Sequence, residues 1–597
     1  METDRVPAVP RVGAVDADAG RYLPWSDDNR MRLPILALGR GAAAAALSIA
    51  LACASAPGFT PDLNAKAPVL EGFGHSDIAI TTRSDKARRL FNQGVLQAYA
   101  FDETEAVRSF KAALAADPGC AMCSWGVAWQ LGPNINDTGR GRTAEALQYV
   151  DWALGRMKDA TARERALVES LALRYAHASK ARETAPLTGA RCGSGSDAQP
   201  DPLDVAYADR MRELADAYPL DADVLTLYAE AELIATPGPV PWTRDGKPVG
   251  RVGDLVQRIE RLLPANASHT GLNHYLVHAT DAVGVAGRAE VAADRLGQLA
   301  PASPHLLHMP SHTYVHLGRY ADAVRVNQRA VAADPALAQA LQAQGFTAGK
   351  DWRGHNLHFL WYAAVMSGQA DVALRAAGEM GERLGRADGS FAAYARSLRL
   401  LTLVRFERWQ EVLREPGVAG DDRVAMLWAA WARGVAQART GKVDEARASL
   451  GSVHSAAAAL RQQAGGKADA GASGMADFAE AQVQAEIAAA QGDLVTALSL
   501  QQAALDASAA LDQREPPMLA GFARLGLGRL QARAGQWQAA EATFRAALAD
   551  HPGSGWALRG LAQALAGQGR DADAAATRQQ LVRAWPDAPP DLRAAGG

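Results

Sequence analysis

The sequence predicts an all-α protein, a solenoid of stacked antiparallel helix pairs, on two observations. The first is a spaced set of small, aromatic and proline residues that occurs twice, as Gly94, Ala106, Phe110, Ala113 and Pro118, and as Gly528, Ala540, Phe544, Ala547 and Pro552. The second is its period, because Ala574 and Pro586 follow Ala540 and Pro552 by 34 residues. One helix pair cannot bury its own apolar face, so neighbouring pairs must stack.

Each unit shows the same order of elements. Apolar residues at helical spacing lead to a turn such as AGQW or LGRY, and a second amphipathic helix ends at Asp-Pro or His-Pro. These residues resemble the tetratricopeptide repeat (TPR), which has two helices per unit. The resemblance implies small residues where the helices meet and a concave groove lined by the first helices. We expect one TPR-like array at 86–385, with a cysteine pair and a histidine-rich groove, and a second at 386–597.

The N-terminal residues have the layout of an export signal. Residues 1–30 are acidic and loop-like, whereas Met31 opens a basic start that leads into an apolar run at 41–52. We expect 1–54 to be an extension with a signal peptide, Met31 to be the true start and 55–85 to be a linker. Cleavage after Ala54 predicts a periplasmic or secreted protein. The alternative is a lipid on Cys53, which would attach the protein to a membrane.

Composition and missing motifs exclude several functions. The 62 Lys and Arg residues balance 65 Asp and Glu residues, and no block of like charge occurs, which argues against a nucleic-acid partner. The sequence contains no GxxxxGK[ST] phosphate loop, no GxSxG elbow and no HExxH zinc motif. Hydrolysis by those routes is therefore not expected.

Histidines are concentrated in three consecutive units, with nine of the 13 between residues 269 and 358. In the middle unit they share one face of the first helix, in which Pro310 predicts a kink. His308 and His312 follow His274 and His278 by 34 residues. The three units carry, in chain order, His274, His278 and Asp281; His305, His308, His312 and His316; and His355, His358 and Tyr362.

This arrangement predicts a transition-metal site. Packed helices lie about 8–10 Å apart, so imidazoles from adjacent helices can share an ion through bonds of about 2.0–2.1 Å. The predicted ligands are His274, His278, Asp281, His305, His308, His312, His355 and His358. Copper is favoured over iron or zinc because Met309 and the Cys120/Cys123 pair offer soft donors. The alternatives are imidazoles that bind an acidic peptide or carboxylate, and histidines that only satisfy buried hydrogen bonds.

A second group of candidates begins at CAMCSWGVAWQLGPNIN, residues 120–136. Cys120 and Cys123 form a disulfide or redox pair, bind a metal as thiolates, or pack at a helix start, and these alternatives stay open. The 34-residue frame gives further groove candidates, namely Trp125, Trp129, Asn134, Asn136 and Tyr362. For the two tryptophans, packing in the core is the competing interpretation.

The motifs CAMCSWGVAWQLGPNIN, NHYLVHATD, HLLHMPSHTYVHLGRY and GHNLHFL together resemble a family of long exported bacterial TPR proteins. The resemblance covers most of 85–570 and implies that the two cysteines, Asn134 and the histidines of these motifs are functional positions. The chain departs from the family near Glu515, where it has no aromatic residues around Glu-Pro-Pro. The resemblance implies positions and no particular reaction.

The predicted function is an exported TPR-type protein with a histidine-rich metal site in its groove. Such a site suits a metal-binding protein or a metal-dependent oxidoreductase better than a hydrolase. The alternative is a metal-free scaffold that binds a peptide, a protein or a small molecule in the groove.

Overall fold

The computed structural model describes residues 59–594 apart from 77, 137–141, 176–198, 239, 386–389, 419–421, 464–469, 510, 512–515 and 520. Within these residues the regular structure is helical, and one isolated β-bridge joins Trp242 to Pro248. Consecutive helices pack against each other along the chain. The predicted all-α array of helix pairs is confirmed.

The helices are numbered in chain order. The first fifteen are α1 (Asp85–Tyr99), α2 (Glu103–Ala116), α3 (Ala121–Gln130), α4 (Thr143–Leu154), α5 (Ala162–Arg174), α6 (Pro202–Ala217), α7 (Ala222–Ala235), α8 (Val252–Leu262), α9 (Thr270–Ala279), α10 (Glu290–Leu299), α11 (Pro304–His308), α12 (Pro310–Leu317), α13 (Tyr320–Ala343), α14 (Arg353–Met366) and α15 (Ala370–Leu384). The remainder are α16 (Ser390–Arg405), α17 (Trp409–Arg414), α18 (Arg423–Arg439), α19 (Val443–Gln463), α20 (Ala470–Ala490), α21 (Leu494–Ser508), α22 (Phe522–Arg533), α23 (Trp537–Asp550), α24 (Gly555–Gly567), α25 (Asp571–Ala584) and α26 (Pro590–Ala594).

The repeated glycine and phenylalanine positions form the contacts that hold neighbouring pairs together. A Cβ added at Gly94 or at Gly126 would lie 2.5–2.9 Å from ring atoms of Phe110, which is buried between them. The same arrangement recurs around Phe544, between Gly528 and Gly560. Each ring therefore occupies space that only glycine leaves free on two successive first helices, which explains the spacing seen in the sequence.

Two prolines in the histidine-bearing region act differently. Pro310 separates α11 from α12, as predicted, but Met309 keeps helical angles (φ −51°, ψ −36°), so the two short helices continue one another. Pro335 was expected to end the second helix of its unit, and that prediction is wrong, because α13 continues through it to Ala343. The added turns bury Leu341 completely. This burial stabilises the part of α13 beyond Pro335, which the proline alone would interrupt.

The described residues between 59 and 84 form no helix, yet part of this segment is packed into the array. Phe73, Ile78 and Ile80 are buried. The backbone N–H of His75 donates to the Thr270 hydroxyl at 2.9 Å, at the start of α9. One cluster of buried apolar side chains extends from Phe73 to Ala588, across the predicted boundary between the two arrays.

Contacts also join units that are far apart in sequence. The indole N–H of Trp556 donates to the carbonyl of Val365 at 2.8 Å, and that of Trp585 donates to the carbonyl of Met366 at 2.7 Å. At Gly318 (φ 75°), an added Cβ would lie 2.4 Å from the carbonyl oxygen of Pro552. Helices α24 and α25 are thereby fixed to the end of α14 and to the turn after α12.

Every described residue belongs to one compact unit, Ala54–Gly597. The predicted signal peptide, the start at Met31 and the lipid on Cys53 lie outside the described residues. Among the helices that are described, none is both long enough and apolar enough to cross a bilayer.

Candidate metal centre

Six of the predicted histidines come together as two triads. The first triad consists of His274 and His278 on α9 and His305 on α11. The second consists of His308 on α11, His312 on α12 and His355 on α14. In each triad the three nearest ring nitrogens lie within 4.8 Å of one another.

The two triads have the same construction. Two histidines four residues apart come from one first helix, and the third comes from the first helix of the next unit. In the first triad, the Nε2 of His274 lies 3.0 Å from that of His278 and 3.1 Å from that of His305. In the second, the Nε2 of His308 lies 3.0 Å from that of His312 and 3.1 Å from that of His355.

The outer ring nitrogens decide which inner nitrogens are free of protons. His274 Nδ1–H donates to the carbonyl of Tyr99 at 2.7 Å, and a carbonyl can only accept. The Nε2 of neutral His274 therefore carries a lone pair. This pattern, an outer acceptor that fixes the tautomer, is typical of histidines that bind metals.

The second triad has two rings fixed in this way. His308 Nδ1–H donates at 2.7 Å to the side-chain oxygen of Asn327, whose amide group itself donates to Ala323 O. His312 Nδ1–H donates at 3.0 Å to a carboxylate oxygen of Asp281. Two Nε2 lone pairs then face each other across 3.0 Å, an arrangement that a cation shared by the two rings would stabilise.

One phenylalanine ring lies against all three members of each triad. The Phe101 ring centroid is 4.6, 5.5 and 4.9 Å from those of His274, His278 and His305. Phe359 is 4.6, 4.6 and 5.0 Å from the three rings of the second triad. Phe101 has a positive φ of 56°, a conformation that costs roughly 1–2 kcal/mol in a residue with a Cβ. Packing in the α1–α2 turn holds this ring in position.

The segment that precedes α14 covers the triads. Trp352 stacks on His305 with 4.3 Å between ring centroids, and its indole N–H donates to Asp102 at 3.4 Å. The Lys350 ammonium donates to the carbonyl of Phe101 at 3.0 Å and pairs with Glu103 at 2.7 Å. Residues 345–354 (GFTAGKDWRG) thus connect the α1–α2 turn to the histidines.

Burial keeps the imidazoles neutral. It lowers the pKa of His274 to about 3, and it holds the pKa of the other first-triad members, and of His308 and His355, well below the ordinary value. Neighbouring histidines lower these pKa values further. Because these five rings are neutral at pH 7, a metal ion would not have to displace an imidazolium proton from them.

Two predicted ligands lie outside the triads. Asp281 accepts hydrogen bonds from His312 and, at 3.0 Å, from His316, so it contacts a triad ring from behind. Burial raises the pKa of Asp281, but these two histidines outweigh it and hold the pKa well below its usual value. His358 Nε2 lies 3.4 Å from the Tyr394 hydroxyl, and its ring stacks on Trp361. The expectation of one site shared by all eight residues is replaced by two three-histidine groups.

The other candidates are placed away from the triads. Cys120 and Cys123 form a disulfide, with 2.11 Å between the sulfurs, so they offer no thiolate. The predicted groove residues are all buried inside the protein. They are Trp125, Trp129, Asn134, Asn136 and Tyr362. Trp129 donates to Glu230 at 2.6 Å, and Asn134 donates to Glu103 at 2.5 Å.

Several residues that shape the site were not singled out from the sequence. Asn327 had a signal, because it lies among Ala323, Val324 and Ala330 on the apolar face of α13, where a polar residue needs a partner. Phe101 has no comparable signal, since its role depends on a turn that contacts a helix more than 170 residues away.

Comparison with known protein families gives a match near the C-terminus. Residues 531–595 match the family described as tetratricopeptide repeat. A comparison with curated protein sequences finds no match.

Solved structures give only distant similarities. The structure of Naa15/Naa10 bound to HypK-THB is 13% identical with a TM-score of 0.22, and the match covers 83% of this chain but 63%, less than two thirds, of that one. The apo quorum sensor NprR from B. thuringiensis is 12% identical, with a TM-score of 0.26 and coverage of 56% and 93%. The APC/C hetero-tetramer Cut9-Hcn1 is 13% identical, with a TM-score of 0.26 and coverage of 85% and 90%. Scores this low carry no argument about function.

Proposed function

We propose that this protein is a helical-repeat protein that binds transition-metal ions, one in each histidine triad. The observation that carries the proposal is the pair of Nε2 atoms of His308 and His312, 3.0 Å apart with both Nδ1–H groups already donated to Asn327 and Asp281. Two lone pairs at that distance repel each other unless a cation lies between them.

The distances also suit coordination. Metal–nitrogen bonds of about 2.0–2.1 Å at near-tetrahedral angles place two donor atoms roughly 3.3–3.4 Å apart. Two of the three ring pairs in each triad have Nε2 separations close to this, 3.0–3.1 Å, and the third pair has its ring nitrogens within 4.8 Å. Three protein ligands and an open position are typical of reactive metal sites, so metal-dependent redox chemistry remains a prediction that follows from this proposal.

A metal-free scaffold is the second candidate from the sequence, but its groove would have to lie elsewhere. His305, His308 and His312 have no exposed surface. A peptide cannot contact them unless Trp352 and the segment before α14 move. The buried triads therefore favour an ion over a partner chain.

We further propose that the protein acts after export, as the N-terminal pattern indicates. The Cys120–Cys123 disulfide supports this proposal, because disulfides persist in oxidising compartments and are rare in the reducing cytosol. Cell fractionation that finds the full-length protein in the cytosol with reduced cysteines would contradict it.

Metal analysis tests the main proposal. Protein purified without a histidine tag and reconstituted with copper, zinc or iron should retain two equivalents of an ion after desalting. His274→Ala and His308→Ala should each reduce this to one. The control is His358→Ala, which alters a motif histidine outside the triads and should leave two.

Less than about a tenth of an equivalent after reconstitution would contradict the proposal. The cation between His308 and His312 would then be a proton, held as an imidazolium against Asp281. Circular dichroism of each variant separates loss of ligands from loss of fold.

A further inference from the structure

We propose that the two triads form a paired cuprous site, in which each triad binds one Cu(I) ion in preference to a divalent ion. This inference rests on the proposed function and adds to it the charge of the ion and the coupling between the two positions. It follows from the charges, burial and separation of the triads.

The ligands supply no negative charge. All six donors are imidazoles, and the carboxylate bonded to a triad ring, Asp281, contacts His312 through the outer nitrogen. On the other side of the site, the Lys350 ammonium lies 4.7 Å from the ring centroid of Trp352, which stacks on His305. Lys350 forms an ion pair with Glu103, and this pair cancels the negative charge of Glu103. Asp281 hydrogen-bonds a triad ring directly, whereas Asp102 is connected to the site through the indole N–H of Trp352, so little negative charge lies next to the ions.

Burial makes the charge of the ion decisive. Five of the six ligand side chains have at most 1% of their surface exposed, and phenylalanine rings lie against both triads. The cost of transferring an ion from water to such surroundings grows with the square of its charge, so a divalent ion costs about four times as much as a monovalent ion of similar radius. Neutral donors and apolar surroundings therefore favour the lower charge.

The spacing of the triads strengthens this preference. His278 and His312 occupy equivalent places in successive units, and their ring centroids are 6.2 Å apart. Because the two triads have the same construction, the distance between the two ions should be close to the distance between these two rings. The ions would therefore lie on the order of 6 Å apart. Repulsion between two divalent ions at that distance is about four times the repulsion between two monovalent ions.

Coordination number points the same way. Each triad offers three nitrogens, so Zn²⁺ would need a fourth ligand such as water to complete its usual coordination. Cu(I) accepts three ligands, and imidazole is among the donors that suit copper. The sequence favoured copper because of soft sulfur donors, but the cysteines are in a disulfide. Selection here would depend on charge and coordination number.

An anaerobic competition experiment tests the proposal. The full chain, free of metal, is mixed with equimolar Cu(I) and Zn²⁺ and desalted, and both metals are counted. We expect two copper ions and no zinc per chain, with copper-edge X-ray absorption showing three nitrogen neighbours at about 2.0 Å. Zinc in both triads would overturn the cuprous assignment and leave metal binding intact, whereas retention of neither metal would overturn both proposals.

A variant with one triad tests the pairing. His355→Ala removes the partly exposed ligand of the second triad, and His308→Ala is a second variant if the first still binds two ions. Without a second ion beside it, the remaining triad should prefer Cu(I) over Zn²⁺ at least about tenfold less strongly than it does in the unaltered protein. An unchanged preference would overturn the pairing. The His358→Ala control should keep both ions and the full preference.

Discussion

A single buried amide determines what His308 is able to bind. The Asn327 side chain accepts the Nδ1 proton of His308 and donates its own amide hydrogen to Ala323 O, so it cannot turn around without losing a hydrogen bond. The Nε2 of His308 is thereby left with a lone pair that points at the other two rings. A residue outside the contact distance of a bound ion would thus control the chemistry of the proposed metal site.

Asn327→Leu should weaken metal binding in the second triad and spare the first. Leucine is close to asparagine in size but accepts no hydrogen bond, so His308 is free to place its proton on Nε2. Loss of such a partner typically costs 10–100-fold in metal affinity. Competition with a chelator of known affinity measures the change. Asn327→Asp, which keeps an acceptor, is the control, and equal affinity in the leucine variant would contradict the argument.

At the scale of residues, the sequence predicted positions better than roles. The 34-residue relation between His274 and His308 is a property of the period, so the structure could be expected to place them equivalently. The role of Asp281 depends on which ring nitrogen it contacts, and that depends on rotamers. Spacing cannot distinguish a carboxylate that binds an ion from one that holds the ligand.

At the scale of elements, the units that contain Phe110 and Phe544 are each held by a phenylalanine of the second helix between glycines of two first helices. Phe544 is the C-terminal example, with Gly528 on α22 and Gly560 on α24. The Phe544 ring fills the space that Cβ atoms would occupy at these two glycines. Close packing of this kind tolerates no added methyl group without displacement of the ring.

Gly528→Ala should therefore destabilise the fold by about 1–3 kcal/mol, because the new Cβ would lie 2.7 Å from a ring carbon of Phe544. Urea denaturation followed by circular dichroism measures this. Gly378→Ala is the matched control, since that helical glycine has no atom within 4 Å of an added Cβ, and should be stabilising by about 0.5–1 kcal/mol. Equal effects at both positions would contradict the packing argument.

Prediction of the elements succeeded where it rested on local geometry. Pro310 does divide its helix into α11 and α12, which continue one another through Met309, because its ring removes a backbone donor at that point. Pro335 does not, because Leu341 beyond it is buried by tertiary packing that the local sequence does not contain. Propensity is outweighed when a continuing helix gains a buried apolar surface.

At the scale of the whole molecule, distant contacts add to the contacts between neighbours. In a simple repeat array each unit contacts only the next, and stability is a sum over neighbours. Here Trp556 and Trp585 bond to the carbonyls of Val365 and Met366, at the end of the helix that carries His355. The period predicts stacking between neighbours, but it contains no information about contacts between units so far apart.

Trp585→Ala should destabilise α14 as well as α25. The side chain is fully buried, so its loss should cost about 3–5 kcal/mol. Hydrogen exchange should accelerate at the end of α14 in addition to α24 and α25. Val582→Ala, on the same last turn of α25 and 51% exposed, is the control and should change little. Faster exchange confined to α24 and α25 would contradict this coupling.

The contact between Gly318 and Gly553 limits how this chain can vary in length. Repeat proteins commonly gain and lose whole units, since each unit offers the same surfaces as the one before. Here an added Cβ at Gly553 would lie 3.0 Å from Gly318, so the turns after α12 and α23 meet backbone to backbone. Duplication or deletion of one unit between them would separate these turns. The number of units between α12 and α24 is therefore set by geometry, and natural variants should differ in their surface loops and not in their repeat count.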